Sequence, residues 1–186
     1  MTIELHTERL RLRRLEPTGG DAAAVLDYFK RNERFLEAWE VKREASYYTL
    51  DAQTDLLRQD QAMMNTSQMS KFWLYKCGEP ERIIGSVALS NIVRGAFLSC
   101  HLGYRLDEAE LNKGFMTEAI GRVVAYAFEE LGLHRIEANI MPRNTASLKV
   151  VEKLGFRDEG LALRYLKING KWEDHIHMVL LNEELE

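Results

Sequence analysis

Gly103-Tyr-Arg-Leu-Asp-Glu-Ala-Glu-Leu-Asn-Lys-Gly-Phe-Met-Thr-Glu-Ala-Ile120 is the stretch whose reading decides the fold. An apolar strand stops at Leu106, a polar loop carries Asp107 to Asn112, and a helix opens at Lys113-Gly114-Phe115-Met116-Thr117 with Asn112 as its expected cap. The first N–H groups of a helix lack intrahelical partners and its N-terminal end carries partial positive charge. A phosphate or pyrophosphate can accept from them directly, and Gly114 allows close approach to the backbone. Strand, loop and helix also follow one another in folds that bind nothing, so the flanking sequence has to decide.

Downstream, Met116, Ala119, Ile120, Val123, Val124, Ala127, Phe128 and Leu131 keep the spacing of a helix face packed on a sheet, and Gly132 ends it. A strand is expected over Arg135 to Met141 and a capped helix over Asn144 to Leu154. Strand, helix, strand, helix implies a parallel pair joined by a right-handed crossover. Leu161 to Ile168 and Trp172 to Leu181 flank Asn169-Gly170, a two-residue hairpin turn. Upstream, runs from Lys71 to Leu106 are broken at Cys77-Gly78-Glu79-Pro80 and Arg94-Gly95, giving a three-stranded meander whose last strand starts at Phe97. Leu10 to Leu15 alternates as a half-buried strand. Asp21 is read as the cap of a short helix carrying Val25, Leu26 and Phe29; Asn32 to Arg43 and Asp51 to Gln68 are read as two more helices, the last with Leu56, Leu57, Met63 and Met64 on one face. The fold class is therefore α/β (α+β), a mixed sheet with helices on both faces.

The chain of 186 residues, 46% hydrophobic and 29% charged, reads as a single domain over residues 1–186 with one sizeable core. A formal net charge of −4 leaves no electrostatic footprint for direct nucleic-acid binding. Cys77 and Cys100, the only cysteines, fit a reducing compartment; with no signal peptide and no apolar run of membrane-spanning length, a cytoplasmic protein away from the membrane is expected. No phosphate-loop or dinucleotide glycine spacing occurs, nor a serine-nucleophile pattern. His175 and His177 share a strand face, but two ligands make no zinc site, and no metal is expected.

Thr7-Glu8-Arg9-Leu10-x-Leu12-Arg13, Leu111-x-x-Gly114-x-Met116-Thr117-Glu118-Ala119, and Asn144-x-x-Ser147 with Glu152-Lys153-Leu154-Gly155-Phe156 resemble the GNAT superfamily of acetyl-CoA-dependent N-acetyltransferases. The resemblance spans essentially the whole chain. Phe35-Leu36-x-x-Trp39-Glu40, Asn91 to Phe97, Leu102-Gly103-Tyr104, His134-Arg135-Ile136, Ala138-Asn139-x-Met141-Pro142 and Asn169-Gly170-x-Trp172-x-Asp174-His175 resemble its RimJ branch of ribosomal-protein alanine N-acetyltransferases, itself related to the RimL branch.

The resemblance implies a mostly antiparallel sheet of about seven strands with a central splayed parallel pair. It implies that Leu111, Asn112, Lys113, Gly114, Phe115, Met116 and Thr117 wrap the pyrophosphate of acetyl-CoA, and that Tyr104, Arg105 and Leu106 pair with the pantetheine arm. Where the family usually has Gln or Arg, and often Gly, this chain has Leu111 and Asn112. Asn144 is expected to face the cofactor and Ser147 to donate to the departing sulfur; as residues alone, the two read equally as a helix cap and a solvent-facing serine. A backbone N–H near Leu106 is expected to polarise the thioester oxygen. Where RimL has a glutamate proposed as base, this chain has Leu166. Glu137, pointing opposite to Ile136 and Ala138, is the replacement candidate, with a cross-strand ion pair as the plainer alternative; Tyr165 and His101 stand behind it. Phe35, Trp39 and Tyr48 are expected to line the acceptor side, although Phe35 and Trp39 also fit a core stripe. The expected activity is acetyl transfer to a primary amine, foremost the N-terminal amine of a peptide or (ribosomal) protein. A small amine such as an antibiotic, amino acid or polyamine, or a non-catalytic acyl-CoA-binding module, are the alternatives. Monomer and homodimer both remain open.

Overall fold

The computed structural model describes residues 3–185. Glu4–His6 (β1) and Leu10–Arg13 (β2) form an antiparallel pair, followed by Ser70–Lys76 (β3), Glu79–Val93 (β4) and Ser99–Leu106 (β5). Arg135–Ile140 (β6), Arg157–Ile168 (β7) and Lys171–Leu181 (β8) complete one sheet in the order β1-β2-β3-β4-β5-β6-β8-β7. Eight strands stand where about seven were expected, and β1 is the short addition. All neighbours are antiparallel except β5 and β6.

Side chains alternate across a strand, so each strand serves two layers. On β3, Phe72 and Leu74 face a core shared with Ile120, Val123 and Val151, while Trp73 and Tyr75 face another with Val25, Tyr28, Phe29 and Leu57. Phe115–Ala125 (α3) and Thr145–Lys153 (α4) cover the first face; Gly19–Leu36 (α1) and Leu50–Asn65 (α2) cover the second. Each fully buried side chain such as Ile120 or Leu74 contributes roughly 1.5–3 kcal/mol.

Local chemistry moves several boundaries. The cap of α1 is Thr18, whose hydroxyl accepts from Asp21 N at 3.2 Å, not Asp21, whose carboxylate instead accepts from Glu16 N at 2.8 Å. Asn32 to Leu36 continue α1 because Asn32 and Leu36 are buried on its inner face; residues 37–44 are irregular, not helical. In α2, Leu57 is buried but Met63 is exposed, and the helix ends at Asn65. β5 begins at Ser99, leaving Phe97 exposed. α3 passes into a π turn at Tyr126–Glu130, and Gly132 closes it at φ 61°. Asn169 (φ 41°) and Gly170 (φ 81°) form the expected turn between β7 and β8.

The loop after β5 is held by two buried carboxylates. Asp107 accepts from Arg31 and, at 2.9 Å, from Arg82; Glu110 accepts from Lys76 (3.1 Å), Arg82 (3.0 Å) and Lys113 (3.0 Å). Burial alone would raise the Glu110 pKa, but those hydrogen bonds outweigh it and hold the carboxyl down at about 2. A depressed carboxyl stabilises the fold above its ordinary pKa of 4.5, and that contribution is lost as pH falls toward about 2. Glu110→Gln should therefore lower the urea midpoint at pH 7 and lose less further stability than the wild type between pH 4.5 and 2; parallel curves would remove Glu110 from the acid response.

Candidate active site

β5 keeps its ladder with β4 as far as Gly85↔Leu106, but with β6 only as far as His101↔Glu137. β6 meanwhile stays paired to β8 as far as Ile140↔Ile176. The second half of β5 therefore has a free edge toward β6, with main-chain groups open to a ligand. Gly85 permits this arrangement, since a Cβ there would collide with the Arg105 carbonyl.

At the end of that edge the chain enters an amide row. Asn112 (φ 61°) and Gly114 (φ 81°) both take the left-handed conformation, and α3 starts at Phe115 with Gly114 as N-cap. Asn112 is therefore not the cap: its side chain makes no such bond. The first helical bond here is Glu118 N to Gly114 O at 3.1 Å, and the N–H groups of Asn112 and of Gly114 through Thr117 meet no backbone acceptor among the described residues. Left-handed turns of this kind just ahead of a helix N-terminus leave main-chain N–H groups available to an anion. Leu111 is partly buried against the first core, Phe115 and Met116 are buried, and Thr117 is half-buried. Lys113 sends its ammonium back to Ala109 O (2.7 Å) and Glu110, so its contribution to the row is its main chain.

Flanking the splayed strands, Tyr104 and Ser147 meet on the α3/α4 face, with the hydroxyls 2.5 Å apart and Tyr104 Oη also 3.1 Å from the Ser147 carbonyl. Burial pushes the Tyr104 hydroxyl up to about 12 against the opposing hydrogen bond from Ser147, so it stays protonated. Asn144 caps α4 by accepting from Ser147 N at 3.2 Å. Arg105 turns to the other face, stacks on Phe29 at 5.4 Å and pairs with Glu40 at 3.2 Å.

On that other face Glu137 points away from buried Ile136 and Ala138, as the alternation requires. It accepts from Arg135 (3.2 Å), while His177 Nδ1 lies 3.1 Å and His101 Nε2 3.8 Å away. The carboxylate is thus ion-paired to Arg135 on its own strand, with His177 of β8 across from it. Tyr165 packs edge-on to His177 at 4.9 Å, and Leu166 is exposed on β7. Phe35 packs on the second core and Tyr48 lines a cavity of about 110 Å³. Trp39 lies under Arg143 at 5.1 Å, in the irregular segment 37–44 that reaches the β7–β8 turn through Asn169 N to Glu40 O at 3.1 Å. The contacts of Arg143 with Trp39, His177 with Glu137 and the Tyr104 hydroxyl with Ser147 have no signal in the sequence, because each joins strands or helices far apart in the chain.

Residues 9–157 match the family model of the acetyltransferase (GNAT) domain. The chain belongs to the GNAT acetyltransferase family. Among its relatives, a probable N-acetyltransferase of Bacillus subtilis, YjcK, is 42% identical over 94% of this chain and 95% of its own length. A crystal structure of a ribosomal-protein-S5-alanine acetyltransferase from Vibrio fischeri superposes with a TM-score of 0.91 at 35% identity, covering 99% of both chains. RimJ of Mycobacterium smegmatis, solved in complex with CoA-disulfide, gives 0.88 at 28% identity over 99% of this chain and 88% of that one. As a GNAT enzyme the chain is an N-acetyltransferase, and acetyl-CoA is its cosubstrate. The free β5 edge and the unpaired amide row fit that molecule: one offers an extended arm a strand's hydrogen bonds, the other offers a diphosphate main-chain donors. No helix among the described residues is long and apolar enough to cross a membrane.

Gly114→Pro removes an N–H from the row and cannot adopt φ 81°. Calorimetric titration should find coenzyme A binding abolished in a folded variant; retained binding would place the phosphates elsewhere.

Proposed function

We propose that the chain acetylates the N-terminal α-amine of a protein, with a ribosomal protein the favoured acceptor, by direct attack in a ternary complex. The observation that carries this reading is the pair of groups on opposite sides of the splayed strands: the Tyr104–Ser147 hydroxyl pair on one face and Glu137 on the other. The S5-alanine enzyme named above supports the choice of acceptor.

In this reading the main chain of Leu111 to Thr117 holds the pyrophosphate, with Asn144 beside it. Tyr104 to Leu106 hold the pantetheine arm along the free edge, and a backbone N–H near Leu106 polarises the thioester oxygen. Acetyl-CoA supplies an activated acyl group with a good leaving group. Tyr104 Oη, in contact with both Ser147 Oγ and the Ser147 carbonyl, holds the serine hydroxyl in place, and Ser147 Oγ donates toward the departing sulfur; a thiol of pKa near ~8.5 asks for no stronger acid. Glu137, oriented by Arg135 and His177, receives the amine's proton. Its demand is small for an α-amine: at pH 7 a group of pKa near ~8 pays about 1 kcal/mol to be neutral, whereas a lysine near ~10.4 pays about 4.6. Phe35, Trp39 and Tyr48 bound the acceptor side.

One observation favours a second reading, a cationic small amine: Glu33, Glu37 and Glu40 line the cavity beside Tyr48. Glu40 is already engaged by Arg105 at 3.2 Å and Arg43 at 3.6 Å, which leaves the peptide reading ahead.

The test is thiol release from acetyl-CoA with a peptide bearing free N-terminal Ala or Ser, the same peptide blocked, a lysine-bearing control and spermidine. Turnover confined to the free N-terminus is expected; turnover with spermidine alone would reverse the order of the readings. Ser147→Ala should lower kcat on the order of ten- to a hundredfold with the KM for acetyl-CoA nearly unchanged. Tyr104→Phe added to it should cost little more, because the two hydroxyls act as one unit; an unchanged kcat in Ser147→Ala would remove the serine from the chemistry.

A further inference from the structure

Glu118 lies in the first turn of α3, among the very amides that form the anion row, and a bare carboxylate there would repel a diphosphate. It is not bare. Its Oε1 accepts from Thr7 Oγ1 at 2.5 Å and Arg9 N at 2.9 Å, and its Oε2 accepts from Arg9 Nε at 2.6 Å and Nη2 at 2.6 Å. The remaining Arg9 nitrogen, Nη1, donates to the Lys113 carbonyl at 3.0 Å, inside the row itself. The guanidinium lies 4.6 Å above the Phe115 ring, and a Cβ on Gly114 would sit 3.4 Å from Nη2. Burial works against ionised Glu118, but the bonds from Thr7 and Arg9 prevail and hold its pKa below the ordinary value, so at neutral pH the ion pair is formed. Of the other cations near it in sequence, Lys113 is engaged by Glu110 and Arg122 by Glu130.

We propose that Arg9 is a positioning residue for the cosubstrate's diphosphate, acting by cancelling the Glu118 charge while bracing the Lys113 carbonyl. The inference rests on the assignment of Leu111 to Thr117 to the pyrophosphate. A residue of the β1–β2 turn, more than a hundred positions upstream, thereby sets the electrostatics of the helix end. Thr7 contributes the third anchor to the same carboxylate, so the Thr7-Glu8-Arg9 segment serves the anion row rather than the sheet alone.

A charge-cancelling role makes a prediction that a purely structural clamp does not. Coenzyme A binding is measured by calorimetric titration, without turnover, for Arg9→Gln, Arg9→Lys, Glu118→Gln and the double variant Arg9→Gln/Glu118→Gln. Arg9→Gln should weaken binding about tenfold and more strongly at low salt, where the exposed Glu118 charge is least screened. Arg9→Lys and Glu118→Gln should stay within about threefold of the wild type, and the double variant should recover to about the same level. If Glu118→Gln is as damaging as Arg9→Gln and the double variant does not recover, the pair is only a clamp and the proposal is overturned. Dephospho-coenzyme A should show the same tenfold loss with Arg9→Gln; a loss confined to coenzyme A would assign Arg9 to the 3′-phosphate and also overturn it. Failure of the underlying assignment is a separate result, read as retained binding by Gly114→Pro.

Discussion

One strand edge left without a neighbour governs this molecule. Main-chain N–H and C=O groups in a sheet interior are costly to leave unpaired, yet β5 parts from β6 after His101↔Glu137. The separation is stable because each strand is satisfied on its far side, β5 by β4 and β6 by β8, and because β7 takes the outer place that β6 would otherwise need to fill. The gap lies between two well-formed half-sheets, and it is where the proposed ternary complex seats the extended, amide-bearing arm of the cosubstrate.

Around that gap, charge is arranged so that the loop after β5 has one shape. Asp107 and Glu110 are among the few buried charged residues, and cations from α1, β3, β4 and the loop itself converge on them. Such a network contributes modestly to net stability once desolvation is counted, but removal of one partner leaves a buried charge uncompensated. Its value lies in geometry: it fixes the point from which the amide row starts.

Much of this was legible in the sequence where the signal is local. The β5–loop–α3 succession, the Asn169-Gly170 turn, the Asn144 cap and the apolar stripe of α3 all depend on residues within a few positions of each other. The displaced boundaries share a cause. Two polar residues competed for one cap, and Thr18 won over Asp21 because the latter is held by Glu16 N; Gly114 displaced Asn112 because both take positive φ and only the later one abuts the helix. Helical propensity continued past Leu36, but the chain there turns away to reach Arg143 and the β7–β8 turn. Contacts such as Arg9 with Glu118 or Tyr104 with Ser147 have no local signature, since the sheet alone brings them together.

The amide row also has a consequence for how this site tolerates inheritance of error. A donor that belongs to the main chain is present in every residue but proline, so most missense changes at 111 and 113 leave it standing, while the left-handed backbone at Asn112 favours Asn, Asp or Gly there. Fragility is thereby moved off the row's donors and onto the bracing behind them: the left-handed Gly114, the Glu110 cations and the Arg9–Glu118 pair.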